Sequence, residues 1–231
     1  MTTTFITGAN KSLGYETARR LVEAGHTVLV GARDPQRGRA AADALGARFV
    51  QIDVTDDASV AAAAADVAAH EGTVDVLVNN AGVAGSHAPA DELTAADLHA
   101  VYDTNVAGVV RVTHAFLPLL RRSANPVVVN VSSGLGSFAA THDPDRVESS
   151  LAAPLYTSSK AALTMLTTQY AKALPDVKFN AADPGYTATD LNGHSGPQTV
   201  TEGTDAIVEL ATIGPDGPTG QFRDRSGTVA W

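Results

Sequence analysis

The chain has no cysteine among its 231 residues, which excludes disulfides, a thiolate nucleophile and any sulfur-ligated metal. Its seven histidines are scattered without ligand spacing, so no metal site is expected. Basic residues are few, 16 against 25 acidic, and the net charge of -9 argues against binding nucleic acid. No apolar run approaches the roughly 18 residues of a membrane span. The start, Met1-Thr2-Thr3-Thr4-Phe5-Ile6, lacks the basic and apolar regions of a signal peptide. A soluble, cytoplasmic protein is expected. With 44% hydrophobic and 18% charged residues the composition is globular, and residues 1–231 are enough for one domain with a full core.

What is present is an alternation. Residues 3–7 read as a buried strand, and residues 13–24 show helical spacing up to Gly25. A second strand is expected at 27–30. Asp34-Pro35 then opens a helix as N-cap and first turn, and Gly46 closes it. A strand at 49–52, an Ala-rich helix from Asp56 or Asp57 to about His70, and a strand at 74–78 follow. Beyond them come a long helix at about 92–121, a strand at 126–131, a helix at 153–173 and a strand at 177–182. A last helix is expected near 200–213, with a short strand at 220–223. The strands are solid apolar runs, as when helices cover both faces. The expected fold is α/β, a doubly wound parallel sheet (Rossmann fold), with ligands at the carboxyl ends of the strands.

The first strand ends in Thr7-Gly8-Ala9-Asn10-Lys11-Ser12-Leu13-Gly14. A glycine turn between a strand and a helix aims backbone N–H groups at an anion, and the helix dipole adds to the attraction. Residues 156–160, Tyr-Thr-Ser-Ser-Lys, lie in the expected 153–173 helix, where residues four apart share a face. An ammonium beside a phenol stabilises the phenolate and lowers its pKa from about 10. Tyr156 so tuned is a general acid towards a carbonyl oxygen or a base towards an alcohol. Taken alone, the pair also fits an ordinary helix with a surface Lys and a half-buried Tyr.

Together these residues resemble the short-chain dehydrogenase/reductase family, and its carbonyl-reductase-like members in particular, over nearly the whole chain. The family's T-G-x-x-x-G-x-G turn is met at Thr7, Gly8 and Gly14; Ser12 stands where glycine is usual. The resemblance implies four catalytic residues: Asn105, Ser133 (with Ser132 as the alternative), Tyr156 and Lys160. Ser133 would orient the substrate oxygen and Tyr156 would protonate it. Lys160 would lower the Tyr156 pKa and hold the nicotinamide ribose, and Asn105 would position a water for proton resupply. It implies cofactor contacts from Gly8, Asn10, Lys11, Ser12, Leu13 and Gly14 at the turn, and from Asp53 and Val54 at the adenine. Asn80, Ala81 and Gly82 would line the ribose side, with Pro184, Gly185, Thr187 and Thr189 at the nicotinamide amide.

Where an acidic residue would hold an NADH ribose, the chain has Ala32 followed by Arg33, and Lys11 adds a cation. NADPH is therefore expected in preference to NADH. The Ser133 to Tyr156 interval is longer than the family's usual one, and the extra stretch, roughly 141–153, reads as a polar loop; a monomer and a homo-oligomer both remain open. Leu135, Tyr186, Leu191 and Trp231 are candidate pocket walls, with 190–197 as a modest lid. The expected activity is reduction of a small aldehyde or ketone, or oxidation of the alcohol. An NADPH-sensing regulator with little turnover is the alternative, and an epimerase or dehydratase using the same cofactor internally is a third reading.

Overall fold

The apolar runs become the strands of one sheet. The computed structural model describes residues 1–86 and 88–231. Its strands are β1 (Thr3–Thr7), β2 (Thr27–Ala32), β3 (Arg48–Gln51), β4 (Val76–Asn79), β5 (Val127–Val131), β6 (Lys178–Ala182), β7 (Phe222–Asp224) and β8 (Gly227–Thr228). They lie in the order β3-β2-β1-β4-β5-β6-β7-β8. Neighbours pair parallel throughout, except β7 with β8. The helices are α1 (Ser12–Glu23), α2 (Pro35–Leu45), α3 (Asp57–His70), α4 (Ala95–Tyr102) and α5 (Gly108–Leu120), then α6 (Phe138–His142), α7 (Pro154–Ala173), α8 (Val200–Gly203) and α9 (Asp205–Ala211).

Successive strand residues face opposite sides, so each strand feeds two cores. Ile6 joins Val30, Val78 and Val129 beneath Leu21 of α1 and Leu210 of α9. Phe5 joins Leu29, Leu77 and Phe179 against Val67 of α3 and Phe116 of α5. The rings of Phe5 and Phe116 are 4.4 Å apart between centres. Covering both faces is what makes the strands continuous apolar runs rather than alternating ones.

Helix ends follow from local chemistry. Asp34 Oδ1 accepts the backbone N–H groups of Gln36 (2.9 Å) and Arg37 (3.0 Å), and Asp56 Oδ1 does the same for Ala58 and Ser59. Each carboxylate satisfies N–H groups that have no partner within the helix. Gly46 stops α2 at φ +63°, a left-handed conformation that costs glycine little.

The structure departs from the sequence reading in four places. The helix expected at 92–121 begins at Ala95 and contains a π turn, Asp103–Ala107, between α4 and α5. The helix expected at 200–213 is divided at Thr204 into α8 and α9. The 141–153 stretch is not a plain polar loop: it starts in α6 and holds a 3₁₀ turn, Val147–Ser150, whose Glu148 is buried. The C-terminal strand is displaced to Phe222–Asp224 and followed by β8, which the sequence reading did not include.

Strand order reverses direction between β1 and β4, where the chain moves off to opposite sides of the sheet. Connections leaving the carboxyl ends there diverge and leave a crevice.

Candidate functional site

The crevice is a groove of about 690 Å³. Its floor is the turn after β1. Asn80 Nδ2 donates to the carbonyls of Thr7 (2.9 Å) and Gly8 (3.2 Å), and the Thr7 hydroxyl accepts the N–H groups of Asn80 and Ala81 at 3.0 Å. The Asn80 amide thus fastens the two strand ends together. A Cβ on Gly14 would sit 2.5 Å from the Gly8 carbonyl oxygen, so only glycine lets α1 approach the turn so closely. Ser12 adopts φ +53°, a left-handed conformation. The usual glycine at this position is therefore explained by backbone geometry, and serine carries strain there.

α1 has no side-chain cap at its N-terminus and no acidic residue in its first turn. Its free N–H groups and dipole suit an anion. Gly8, Asn10, Lys11, Ser12, Leu13 and Gly14 all line the groove. So do Arg33, Asp53, Val54, Asn80, Ala81, Gly82, Tyr156, Lys160, Pro184 and Thr189. Gly185 and Thr187 line the adjoining cleft instead. The residues present fit a dinucleotide with a pyrophosphate on the turn.

At the far end Arg33 is 78% exposed and 3.9 Å from Asp53 Oδ2, leaving its charge available. Asp34 is spent on capping α2. Lys11, counted above as a second cation, is paired: its Nζ meets Asp190 at 2.7 Å, and His194 approaches the same carboxylate at 3.0 Å. This pairing ties the turn to the 3₁₀ segment Asp190–Asn192 across the groove.

The second cavity is a cleft of about 520 Å³ that meets the groove at Tyr156, Ser132, Pro184 and Thr189. Tyr156 and Lys160 lie one turn apart on α7, with Lys160 Nζ 5.5 Å from the Tyr156 ring centre. Lys160 is 5% exposed, and its Nζ donates to the Val131 carbonyl at 2.8 Å. Burial lowers its pKa to about 8, opposed by the charge of Asp183. Burial likewise pushes Tyr156 up to about 12, against a smaller lowering from the Ser133 hydroxyl. The expected depression of the Tyr156 pKa by Lys160 is thus absent. Desolvation outweighs an ammonium that is itself buried and aimed at a carbonyl.

The two serines separate. Ser132 is buried and donates to the Lys160 carbonyl at 3.3 Å. Ser133 Oγ accepts the Leu135 N–H at 3.3 Å and keeps its own proton for the cleft. Asn105 sits in the π turn, 1% exposed. Its amide closes a ring with Val83, accepting the N–H and donating to the carbonyl, both at 2.9 Å, and donates to Ser159 Oγ at 3.0 Å. Its side chain is therefore occupied in joining α7 to the groove wall.

Leu135, Tyr186 and Leu191 line the cleft as expected. Trp231 does not. It stacks on Phe222 with 5.7 Å between ring centres and lines a separate surface groove beside α7. The sequence reading missed the walls given by Leu93 and by Leu151 to Leu155, and it missed Glu148 and Asp190. Glu148 pairs with Arg146 at 2.9 Å, and a Cβ on Gly134 would collide with both its carboxylate and that of Asp183. The two carboxylates therefore bracket the backbone beside Ser133. Burial holds Asp183 above the usual carboxylate range. The one available sequence signal was a Glu two residues after an Arg in an otherwise exposed stretch.

Among the described residues no cluster of acidic and histidine side chains could hold a metal, and no helix is long and apolar enough to cross a membrane.

The family model described as short chain dehydrogenase matches residues 2–199. The (-)-isopiperitenone reductase of Mentha piperita is 32% identical over 303 aligned residues, covering 97% of this chain and 96% of that protein. That span exceeds the 231 residues of this chain, so the reductase carries segments this chain lacks. Short-chain dehydrogenase anuI of Penicillium roqueforti is 36% identical over 222 residues, 90% of this chain and 88% of that protein. Among solved structures, NADPH-bound carbonyl reductase from chicken fatty liver superposes with a TM-score of 0.88 at 28% identity, over 99% of this chain and 98% of that one. Salutaridine reductase from Papaver somniferum gives 0.86 at 27% identity, over 97% and 100%.

Proposed function

The chain belongs to the short-chain dehydrogenase family of oxidoreductases, and from that we propose that it reduces a carbonyl compound with NADPH, Tyr156 being the proton donor. The observation that carries this reading is that Tyr156 lines both the groove and the cleft. A group there reaches a substrate oxygen on one side and a dinucleotide on the other. The relatives named above as reductases support it, as does a structural neighbour solved with NADPH.

When bound, the cofactor supplies the hydride that reaches the carbonyl carbon. Gly8, Asn10, Ser12, Leu13 and Gly14 would hold its pyrophosphate. Asp53 and Val54 would meet the adenine, and Arg33 the 2′-phosphate, joined by Lys11 once it leaves Asp190. Asn80, Ala81, Gly82, Tyr156 and Lys160 would face the ribose, and Pro184, Gly185, Thr187 and Thr189 the nicotinamide amide.

Ser133 donates a hydrogen bond to the substrate oxygen and fixes the carbonyl against Tyr156. Tyr156 gives its hydroxyl proton to that oxygen as negative charge develops on it. With a pKa of about 12, Tyr156 keeps its proton throughout the neutral range, as an acid must. Lys160, lowered to about 8, restores that proton more readily than an ordinary lysine would. Asn105 holds α7 to the groove wall and so keeps Tyr156 and Lys160 in place. No observation favours an NADPH-sensing regulator or an epimerase.

The test is the loss of reduced-cofactor absorbance with aldehydes, ketones and quinones, NADPH against NADH. Turnover preferring NADPH is expected. Turnover preferring NADH contradicts the cofactor assignment, and binding of NADPH without turnover on any carbonyl contradicts the reductase assignment.

A further inference from the structure

The cleft beside Tyr156 has an unusual distribution of polarity for its size. Among the described residues, no Asp, Glu, Lys or Arg lines it. Most of its polar side chains are already committed to the protein. Thr187 Oγ1 donates to the Pro184 carbonyl at 2.8 Å, and the Asn192 amide bonds the Thr187 carbonyl and the Thr189 N–H at 2.8 and 3.1 Å. The Tyr186 hydroxyl meets Ser195 at 2.8 Å and turns only its ring to the cleft, while Ser132 is held by the Lys160 carbonyl. Ser86 sits at the exposed mouth, and Thr189 at the boundary with the groove. Ser133 and Tyr156 keep hydroxyls free to meet a ligand, and Thr189 keeps one where the cleft meets the groove.

Most of the remaining lining residues are apolar, and the 141–153 stretch supplies a share of them. Leu151, Ala152 and Ala153 line the cleft, as does Leu191 of the 190–197 segment. Leu151 and Leu191 are 42% and 41% exposed, so both of these lining side chains also meet solvent. A substrate that enters the cleft meets these leucines and buries itself near the hydroxyls of Ser133 and Tyr156.

We propose that this cleft selects ketones and aldehydes whose body is uncharged hydrocarbon and whose one strongly polar group is the reacting carbonyl, with Leu151 of the insertion as a specificity-determining residue. The proposal rests on the carbonyl-reduction reading and deepens it. A carboxylate or ammonium on the substrate would lose its hydration and find no opposite charge. Each hydroxyl of a sugar-like substrate would lose a water partner and find few side-chain donors or acceptors left uncommitted. Penalties of this kind discriminate more strongly than a missing methylene does. The carbonyl alone gains, because it accepts from the Ser133 and Tyr156 hydroxyls.

The experiment uses ring ketones that share one frame: methylcyclohexanone, oxocyclohexanecarboxylate and aminocyclohexanone substituted at the same position, and a fully hydroxylated cyclohexanone. The quantity read is kcat/KM at saturating NADPH. The methyl compound should exceed each of the others by about a hundredfold, the size expected for an unpaired polar or charged group. The variant Leu151→Lys should raise the carboxylate relative to the methyl compound by about tenfold or more, one close ion pair at a partly exposed site, while NADPH affinity stays unchanged. Charged or hydroxylated ketones turned over within about tenfold of the methyl compound would overturn the proposal. So would a Leu151→Lys variant with the wild-type ratio. Should the wild type turn over none of the four, the same compounds are compared for binding by saturation-transfer NMR with NADPH present. Preference for the methyl compound then supports the cleft assignment while the reductase reading fails, and absence of preference overturns both.

Discussion

Lys160 Nζ stands 5.5 Å from the centre of the Tyr156 ring and is held there by the Val131 carbonyl at 2.8 Å. The lysine is thus tied to the end of β5, the strand that leads into Ser132 and Ser133. Helix α7 is held to the serine loop by this buried hydrogen bond together with that of the Ser132 hydroxyl to the Lys160 carbonyl, and the ammonium is kept away from water that would otherwise solvate it. Burying that charge has a cost that depends on pH.

Lys160 titrates at about 8 in the folded chain, below the ordinary lysine value. Below pH 8 both folded and unfolded chains hold the proton, and the fold bears the full cost of the buried ammonium. Above it the unfolded chain binds more protons than the folded one, so this residue makes stability rise with pH until the unfolded lysine titrates. Tyr156, at about 12, acts in the opposite sense only above about pH 10, where the unfolded phenol ionises first. A Lys160→Met variant lacks the lysine contribution. Its stability relative to wild type should therefore fall by about 2 kcal/mol between about pH 7 and pH 9.5. Urea denaturation at both pH values measures this; a constant difference would mean that Lys160 does not titrate in that window.

Ser12 at φ +53° predicts a stabilising substitution. Ser12→Gly relieves the left-handed strain but gives the unfolded chain more freedom, for a net gain of roughly 0.5–1 kcal/mol. A higher urea midpoint with an unchanged slope is expected. A lower midpoint would mean that the serine hydroxyl contributes more to the turn than its backbone costs.

The phosphate turn was legible because its requirements are local: Gly8 and Gly14 follow an apolar strand and precede a helical repeat. The caps at Asp34 and Asp56 were legible for the same reason. The π turn at Asn105 was not, because one widened turn leaves the apolar spacing of 92–121 almost unchanged. Glu148 was not legible because its burial depends on Gly134 and Asp183, far away in the chain. The pairing of Lys11 with Asp190 was not legible because Asp190 lies across the groove and nothing in the sequence links the two. The pKa of Tyr156 was misread because four-residue spacing reports proximity but not desolvation.

Arg33 is the exposed cation at the nucleotide end of the groove. Arg33→Ala should weaken NADPH binding about tenfold, close to 1.4 kcal/mol, and leave NADH binding nearly unchanged. Fluorescence titration of both cofactors checks this. Equal losses for the two would mean that Arg33 does not meet the 2′-phosphate.

Glu148 should matter to both stability and turnover. Glu148→Ala leaves Arg146 without its partner and loosens the backbone beside Ser133. Because Arg146 is partly exposed, the expected loss is about 2 kcal/mol rather than the larger value of a fully buried pair. Thermal melting and kcat should fall together, and Glu148→Gln should recover part of both. Wild-type kcat in the alanine variant would dissociate this pair from the serine loop.

The central claim is that Tyr156 delivers the proton. It is tested most directly by comparing wild type with Tyr156→Phe in a single assay, the loss of NADPH absorbance with a ketone that the wild type reduces, alongside the NADPH dissociation constant. The account predicts that kcat falls by about a thousandfold or more, as loss of a general acid entails, while the dissociation constant changes less than about threefold. A phenylalanine variant that retains a tenth or more of the wild-type kcat would contradict it.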